Sequence, residues 1–274
     1  MRTQGDGRGH VLIERIGGRS AITRMSAHSP LRLLAPRASG ECVWVFSSTF
    51  GGGLLAGDKI EMDLETAARS SCLLSTQSQT KVFKCEQGQV TESVLTARVG
   101  EEATLICLPD ASMCFRDAAF RQTQRIELCS TSSLCWLDWF TSGRRACGER
   151  WAFRSFTSCM DLLVDSKLVF RDALRLDASD GTLDDPHRMG LCDCFATAVL
   201  VGPRFMTFAT EILAQASSQP VVAGSSLFFA VSPLRDGLVL RIAGPSTESV
   251  GRWIRNQMTF VPLLLGNDPW ARKW

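Results

Sequence analysis

Seven carboxylates, Asp58, Asp63, Asp110, Asp117, Asp138, Glu149 and Asp161, are scattered rather than gathered in charge runs, and Asp58, Asp110, Asp138 and Glu149 lie directly beside glycine, proline or aromatic residues. Isolated acids are usually solvated. A few lining a polar interior would supply weak oxygen ligands that, with water, suit a partly hydrated divalent cation; imidazole or thiolate would hold such an ion more firmly. A second group is Cys192, Cys194 and His187, around one loop. Its C-x-C spacing is not the C-x2-C of zinc ribbons, and no second pair follows at a suitable distance. A small metal- or thiol-dependent enzyme built on these three is the alternative reading. The glycine run 51–58 (GGGLLAGD) suggests a phosphate cradle, but the residue after its last glycine is Asp58, where a P-loop needs Lys and then Ser or Thr. A glycine turn delivering an acid to a strand fits better. With three histidines and no G-x-S-x-G or H-E-x-x-H pattern, no hydrolase signature is present.

The segment from Cys42 to about Arg175, which carries these acids, is a series of short apolar or alternating runs separated by Gly, Ser, Asp and Pro. The pattern predicts strands at 42–47, 58–64, 71–76, 90–99, 103–107, 121–128, 133–139, 151–164 and 167–176. Such spacing points to β-layers rather than a doubly wound α/β sheet. The last third predicts a helix at 204–217 and strands at 227–231 and 237–242. A second helix follows at 247–260, with a hydroxyl N-cap at Ser246 or Thr247, Glu248 in its first turn, and an apolar stripe of Val250, Trp253, Ile254 and Met258. The polar segment 178–186 reads as a surface loop, and residues 1–10 as a loose, disordered N-terminus to one domain spanning 1–274.

Composition narrows the function. Lys and Arg total 30 against 28 Asp and Glu, so the formal charge of +2 gives no general attraction to nucleic acid or anionic lipid. Residues 1–10 contain no apolar run of signal-peptide length, and no later stretch reaches the length of a membrane span. A soluble, cytoplasmic protein is expected. Its 11 scattered cysteines read as buried, reduced thiols packing as small hydrophobes. Trp44, Trp136, Trp139, Trp151 and Trp253 read as core by default, with interface anchors among them as the alternative.

Taken in order, 29–36 (SPLRLLAP), the glycine run 51–58, 76–84 (TQSQTKVFK), 108–110 (LPD), 120–122 (FRQ), 143–150 (GRRACGER) and 201–203 (VGP) resemble the UreD (UreH) family of urease accessory proteins over nearly the whole chain. The resemblance implies a mostly β fold of stacked antiparallel or mixed layers, β-helix-like or sandwich-like, with a few chiefly C-terminal helices. It also implies a non-catalytic, chaperone-like factor with no permanent cofactor. Such a factor binds apo-urease and accessory protein UreF, joins the GTPase UreG through UreF, and passes transient nickel(II) through an interior tunnel. On that view Asp58 and Glu149 are the first candidates for tunnel or interface positions, followed by Asp63, Asp110 and Asp138. Thr76, Thr80 and Lys81 form a wall or docking stretch. The chain departs from the family where Asp138 precedes Trp139, in place of a Trp-Glu pair, and where Phe83 replaces a frequent tyrosine. A scaffold that docks urease but transmits no metal is the further alternative.

Overall fold

The computed structural model describes residues 5–37, 40–86, 88–218 and 225–271. Its strands, in chain order, begin with β1 (Asp6–Ile16), β2 (Arg19–Ala27), β3 (Leu31–Leu34), β4 (Val43–Thr49), β5 (Lys59–Thr66), β6 (Ser71–Thr76), β7 (Lys81–Val82) and β8 (Thr91–Val99). They continue with β9 (Thr104–Leu108), β10 (Ser112–Cys114), β11 (Ala119–Leu128), β12 (Ser133–Thr141), β13 (Ser155–Val164), β14 (Lys167–Asp177) and β15 (Cys194–Val201). Helix α1 (Met206–Ser218) precedes β16 (Phe228–Leu234) and β17 (Gly237–Gly244), and α2 (Thr247–Gln257) and α3 (Phe260–Leu265) follow.

These strands form two stacked sheets. Sheet one has seven, in the order β14-β13-β11-β8-β5-β1-β2; sheet two has ten, with β16-β17-β15-β12-β9-β6-β4-β3 as its main path. From β4 to β13, the short strands β7 and β10 of sheet two apart, the chain alternates between them. In sheet one β1, β5, β8, β11 and β13 pair in parallel, as do β4, β6, β9 and β12 in sheet two. Parallel neighbours cannot be joined by a hairpin and ordinarily need a helical crossover. Here a strand of the opposite sheet is the crossover, which gives a two-sided β-helix. Antiparallel pairs, among them β1 with β2, β13 with β14, and β12 with β15, extend the sheets at their margins.

The sequence patterns follow from what covers each sheet. Sheet one has one open face, so β5 alternates: Ile60, Met62 and Leu64 are buried while Asp63 and Glu65 are exposed. Sheet two is covered on both faces, and β9 is buried at all five residues, as expected of a strand enclosed on both sides. Its inner row, including Val45, Leu105 and Trp136, meets sheet one. Its outer row, including Trp44, Ile106 and Leu137, packs under Ile212 of α1, Val250 and Ile254 of α2, and Phe260 of α3. Trp44, Trp136 and Trp151 are core, as the default reading has it. The Ser246 hydroxyl accepts the Ser249 N–H at 3.1 Å and caps α2. The single helix predicted at 247–260 is two, because Pro262 lacks the N–H that would continue the ladder to Met258.

The N-terminal reading needs correction. Residues 1–4 lie outside the described residues, but Asp6–His10 form the start of β1, held between β2 and β5. The glycines that look like a loose terminus are packing devices: a Cβ on Gly7 would lie 2.7 Å from Ile60 Cδ1 and 2.8 Å from the Leu31 nitrogen. Gly7→Ala is expected to lower stability by about 1–3 kcal/mol through overpacking. Arg8→Ala, at an exposed site on the same strand, is expected to change it by less than about 0.5 kcal/mol. Denaturant unfolding of the two variants checks this.

Candidate functional site

Strand β12 sets the site by simple alternation. Leu134, Trp136, Asp138 and Phe140 share the face turned toward sheet one, while Cys135 and Leu137 face the helices. Asp138 thus puts a carboxylate into an otherwise apolar row. Facing it across the gap are Gln122 of β11 and Ser158 of β13, direct neighbours in the parallel register of sheet one. Gln122 Nε2 donates to Asp138 Oδ2 at 2.7 Å, and Ser158 Oγ donates to the same oxygen at 3.0 Å. These bonds run from one sheet to the other.

Two cavities meet at this carboxylate. The first, of about 150 Å³, is lined from sheet two by Ser75, Thr76 and Asp138, from sheet one by Ser93, Gln122 and Gln124, and near the surface by Ser78, Thr80 and Asp110. The second, of about 560 Å³, is lined by Asp138, Ser158, Asp172 and Arg241 among Phe140, Leu174, Phe195 and Phe228. Asp138 is deep in the protein yet keeps part of its surface toward these spaces. Burial pushes its carboxyl from the ordinary 3.8 up to about 6; the bonds from Gln122 and Ser158 oppose the rise and the Asp172 charge adds to it. In the first cavity Thr76 Oγ1 donates to Asp110 Oδ2 at 3.1 Å and accepts the Asp110 N–H at 2.7 Å. Trp139, on the far face of β12, anchors the same turn by donating to the Pro109 carbonyl at 2.8 Å.

The other predicted acids lie elsewhere. Asp63 is on the open face of sheet one, and Asp161 pairs with Arg171 at 2.6 Å. Asp58 is buried but lines neither cavity: it accepts the N–H groups of Leu55 at 2.9 Å and Gly5 at 3.2 Å, tying the start of β1 to the glycine turn. A Cβ on Gly53 in that run would sit 2.5 Å from the Phe83 ring and 2.8 Å from the Lys81 carbonyl oxygen, so close packing explains the glycine there. Glu149 is likewise buried away from both cavities; it accepts from Arg144 Nε at 3.0 Å and from the Arg116 N–H at 3.1 Å. The guanidinium of Arg144 also lies 4.0 Å from the centre of the Phe115 ring. Thr76 and Thr80 line the first cavity; Lys81 is exposed.

Cys192, Cys194 and His187 do not converge. His187 is exposed, Cys192 is buried, and burial pushes the Cys194 thiol up to about 12. Asp193 between the cysteines takes the structural part: its buried carboxylate accepts from Arg145 and Arg150, each at 2.6 Å. That clamp holds the 143–150 turn against β15. Among the described residues, no group of three or more His, Cys, Asp or Glu side chains is placed to hold a metal ion. Nor is any described helix long and apolar enough to cross a membrane. Sequence reasoning assigned no role to Gln122, Ser158, Asp172, Arg241 or Asp193. Gln122 lies in the 120–122 motif, but its partner was not readable from spacing.

The architecture is a two-sided β-helix with polar side chains spaced through its interior. The chain belongs to the UreD urease accessory protein family, whose model it matches over residues 5–274. It is 42% identical to the urease accessory protein UreD of Anaeromyxobacter sp. (strain Fw109-5), over 97% of this chain and 89% of that one. It is 38% identical to the UreD of Sorangium cellulosum (98% and 84% covered) and 32% identical to urease accessory protein D of Arabidopsis thaliana (96% and 99% covered). Family membership supports a role in urease maturation.

Asp138 and Glu149 give opposite pH dependences. The raised Asp138 pKa means its contribution to stability is present below 3.8 and is lost as pH rises through about 6. Asp138→Asn is therefore expected to gain stability relative to the unsubstituted chain across that window. The hydrogen bond from Arg144 chiefly holds the Glu149 carboxyl below its ordinary 4.5, so its contribution is present above 4.5 and lost as pH falls through the lowered value. Glu149→Gln should be destabilising at neutral pH, with the deficit narrowing on acidification. Thermal unfolding of both variants across pH checks both signs.

Proposed function

We propose that this protein is a non-catalytic cytoplasmic factor that docks on apo-urease with UreF, and through UreF with the GTPase UreG, and passes nickel(II) through the space between its sheets. The observation that carries this reading is the position of Asp138, whose carboxylate lines both interior cavities. Asp110 with Thr76, then Asp138 with Gln122 and Ser158, then Asp172 give an ordered series of oxygen donors in spaces with room for several waters. A conduit has to draw the cation in without trapping it. Separated carboxylates with water do this better than a compact thiolate and imidazole cage. Asp138 is mostly ionised at neutral pH, so it meets an arriving cation as an anion, and protons compete with the cation as pH falls toward 6.

In this account Asp110 and Asp138 carry transit. Asp58 and Glu149 fix the turns that shape the scaffold, and Asp63 lies outside the path. A docking scaffold that transmits no metal makes a different prediction for the interior residues.

Cells lacking their own D-type factor, complemented with this chain, are expected to regain urease activity and urease-bound nickel. Asp138→Ala is expected to capture UreF in pull-down as the unsubstituted chain does, yet restore less than about a tenth of the nickel, as expected when transition-state or transit contacts worth about 1.4 kcal/mol or more are lost. Asp161→Ala, on the outer face, is expected to complement normally. Full restoration by Asp138→Ala would favour the docking scaffold. Failure of the unsubstituted chain to capture UreF or restore urease would refute the maturation role proposed here.

A further inference from the structure

The second cavity is lined by three ionisable side chains among the described residues: Asp138, Asp172 and Arg241. Asp172 lies on β14, an edge strand of sheet one, and Arg241 on β17 of sheet two, and the two strands are not paired. Arg241 Nη2 donates to Asp172 Oδ1 at 2.7 Å, so one ion pair crosses from sheet to sheet at the side of the cavity. The guanidinium carbon also lies 5.9 Å from the centre of the Phe170 ring.

This pair differs from the arginine clasps that hold the turns. Glu149 and Asp193 are buried, with side chains 9% and 7% exposed, and each accepts several donors. The side chains of Arg241 and Asp172 are 50% and 26% exposed and share one contact. A pair of that kind contributes little to stability. It is easily opened. With the pair intact, the lining carries two negative charges and one positive; with Arg241 moved aside, Asp138 and Asp172 present two carboxylates, a charge that matches one dication.

We propose that Arg241 is a counter-ion gate: its guanidinium occupies Asp172 when the cavity holds no cation, and a hydrated divalent cation enters that end of the path by displacing it. The gate rests on the conduit reading and adds a residue that controls it. The exchange breaks one Arg–carboxylate hydrogen bond, forms a cation–carboxylate contact and moves the guanidinium into water. It requires no covalent step. Because Arg241 opposes the cation for the same oxygens, it keeps affinity low at the end where the cargo must leave or enter.

The test is nickel(II) binding to the purified full-length chain by calorimetric titration at neutral pH. Arg241→Gln is expected to bind nickel about tenfold more tightly, since it removes a competing charge beside two carboxylates. Arg241→Lys is expected to stay close to the unsubstituted chain, and Arg241→Gln combined with Asp172→Asn is expected to lose the gain. Circular dichroism and thermal unfolding establish that each variant is folded. Unchanged or weaker binding by Arg241→Gln, or a gain that survives in the double variant, would overturn the gate. If the gate fails in this way while Asp138→Ala still blocks nickel loading in cells, the conduit reading stands without it; normal loading by Asp138→Ala removes both.

Discussion

The parallel ladders are the constraint on which the rest of the molecule depends. Because β4, β5, β6, β8, β9, β11, β12 and β13 alternate between two sheets, the ladders of both grow together, and the inward rows of both must fit one shared space. Most of that space is filled by residues such as Leu64, Leu105, Ile126 and Trp136. Where the inward rows carry Thr76, Gln122, Gln124, Asp138 and Ser158 instead, the sheets leave cavities bounded by polar groups. The cavities are thus a result of which residue types occupy the inward positions of the strands.

Polar groups in such an interior are tolerated because they have partners. Gln122 and Ser158 satisfy Asp138 from the opposite sheet, Trp136 donates to Gln124 at 2.8 Å, and Ser75 donates to the Leu108 carbonyl. Unpaired, such groups would each cost about 1–3 kcal/mol. Asp138 keeps a residual desolvation penalty, and burial raises its pKa accordingly. Elsewhere the acids are tied to arginines or backbone N–H groups and serve the shape of the scaffold. Glu149 and Asp193 hold the 143–150 turn from its two sides.

Much of this was legible in the sequence. Strand β6 runs over 71–76 as the pattern predicts, and most strands between Cys42 and Arg175 are found within a few residues of their predicted limits. The late helices are found as well, because their apolar stripes and the N-cap are local signals. Strand β1 was hidden because Gly7 and Gly9 mimic a loose tail, while their role, close approach to residues of β3, is tertiary. Strand β15 was hidden because Cys192 and Cys194 drew a metal reading; both thiols are buried, and Asp193 holds the local structure. The same limit applies to the site. Asp138 follows from the alternation of β12, but Gln122, Ser158, Asp172 and Arg241 meet it only once the parallel register and the stacking of the sheets are known. Asp58 and Glu149 stood out in sequence because their turns are distinctive, and a distinctive turn marks structural work as readily as passage.

The central claim is that a divalent cation passes between the sheets by way of Asp138. Anomalous X-ray scattering from crystals of the full-length chain in complex with UreF, soaked in nickel(II), tests it most directly. The account predicts nickel density between the sheets beside Asp138, absent from Asp138→Asn crystals treated in the same way. Nickel found only at the outer surface, with the interior unchanged in both, would contradict it.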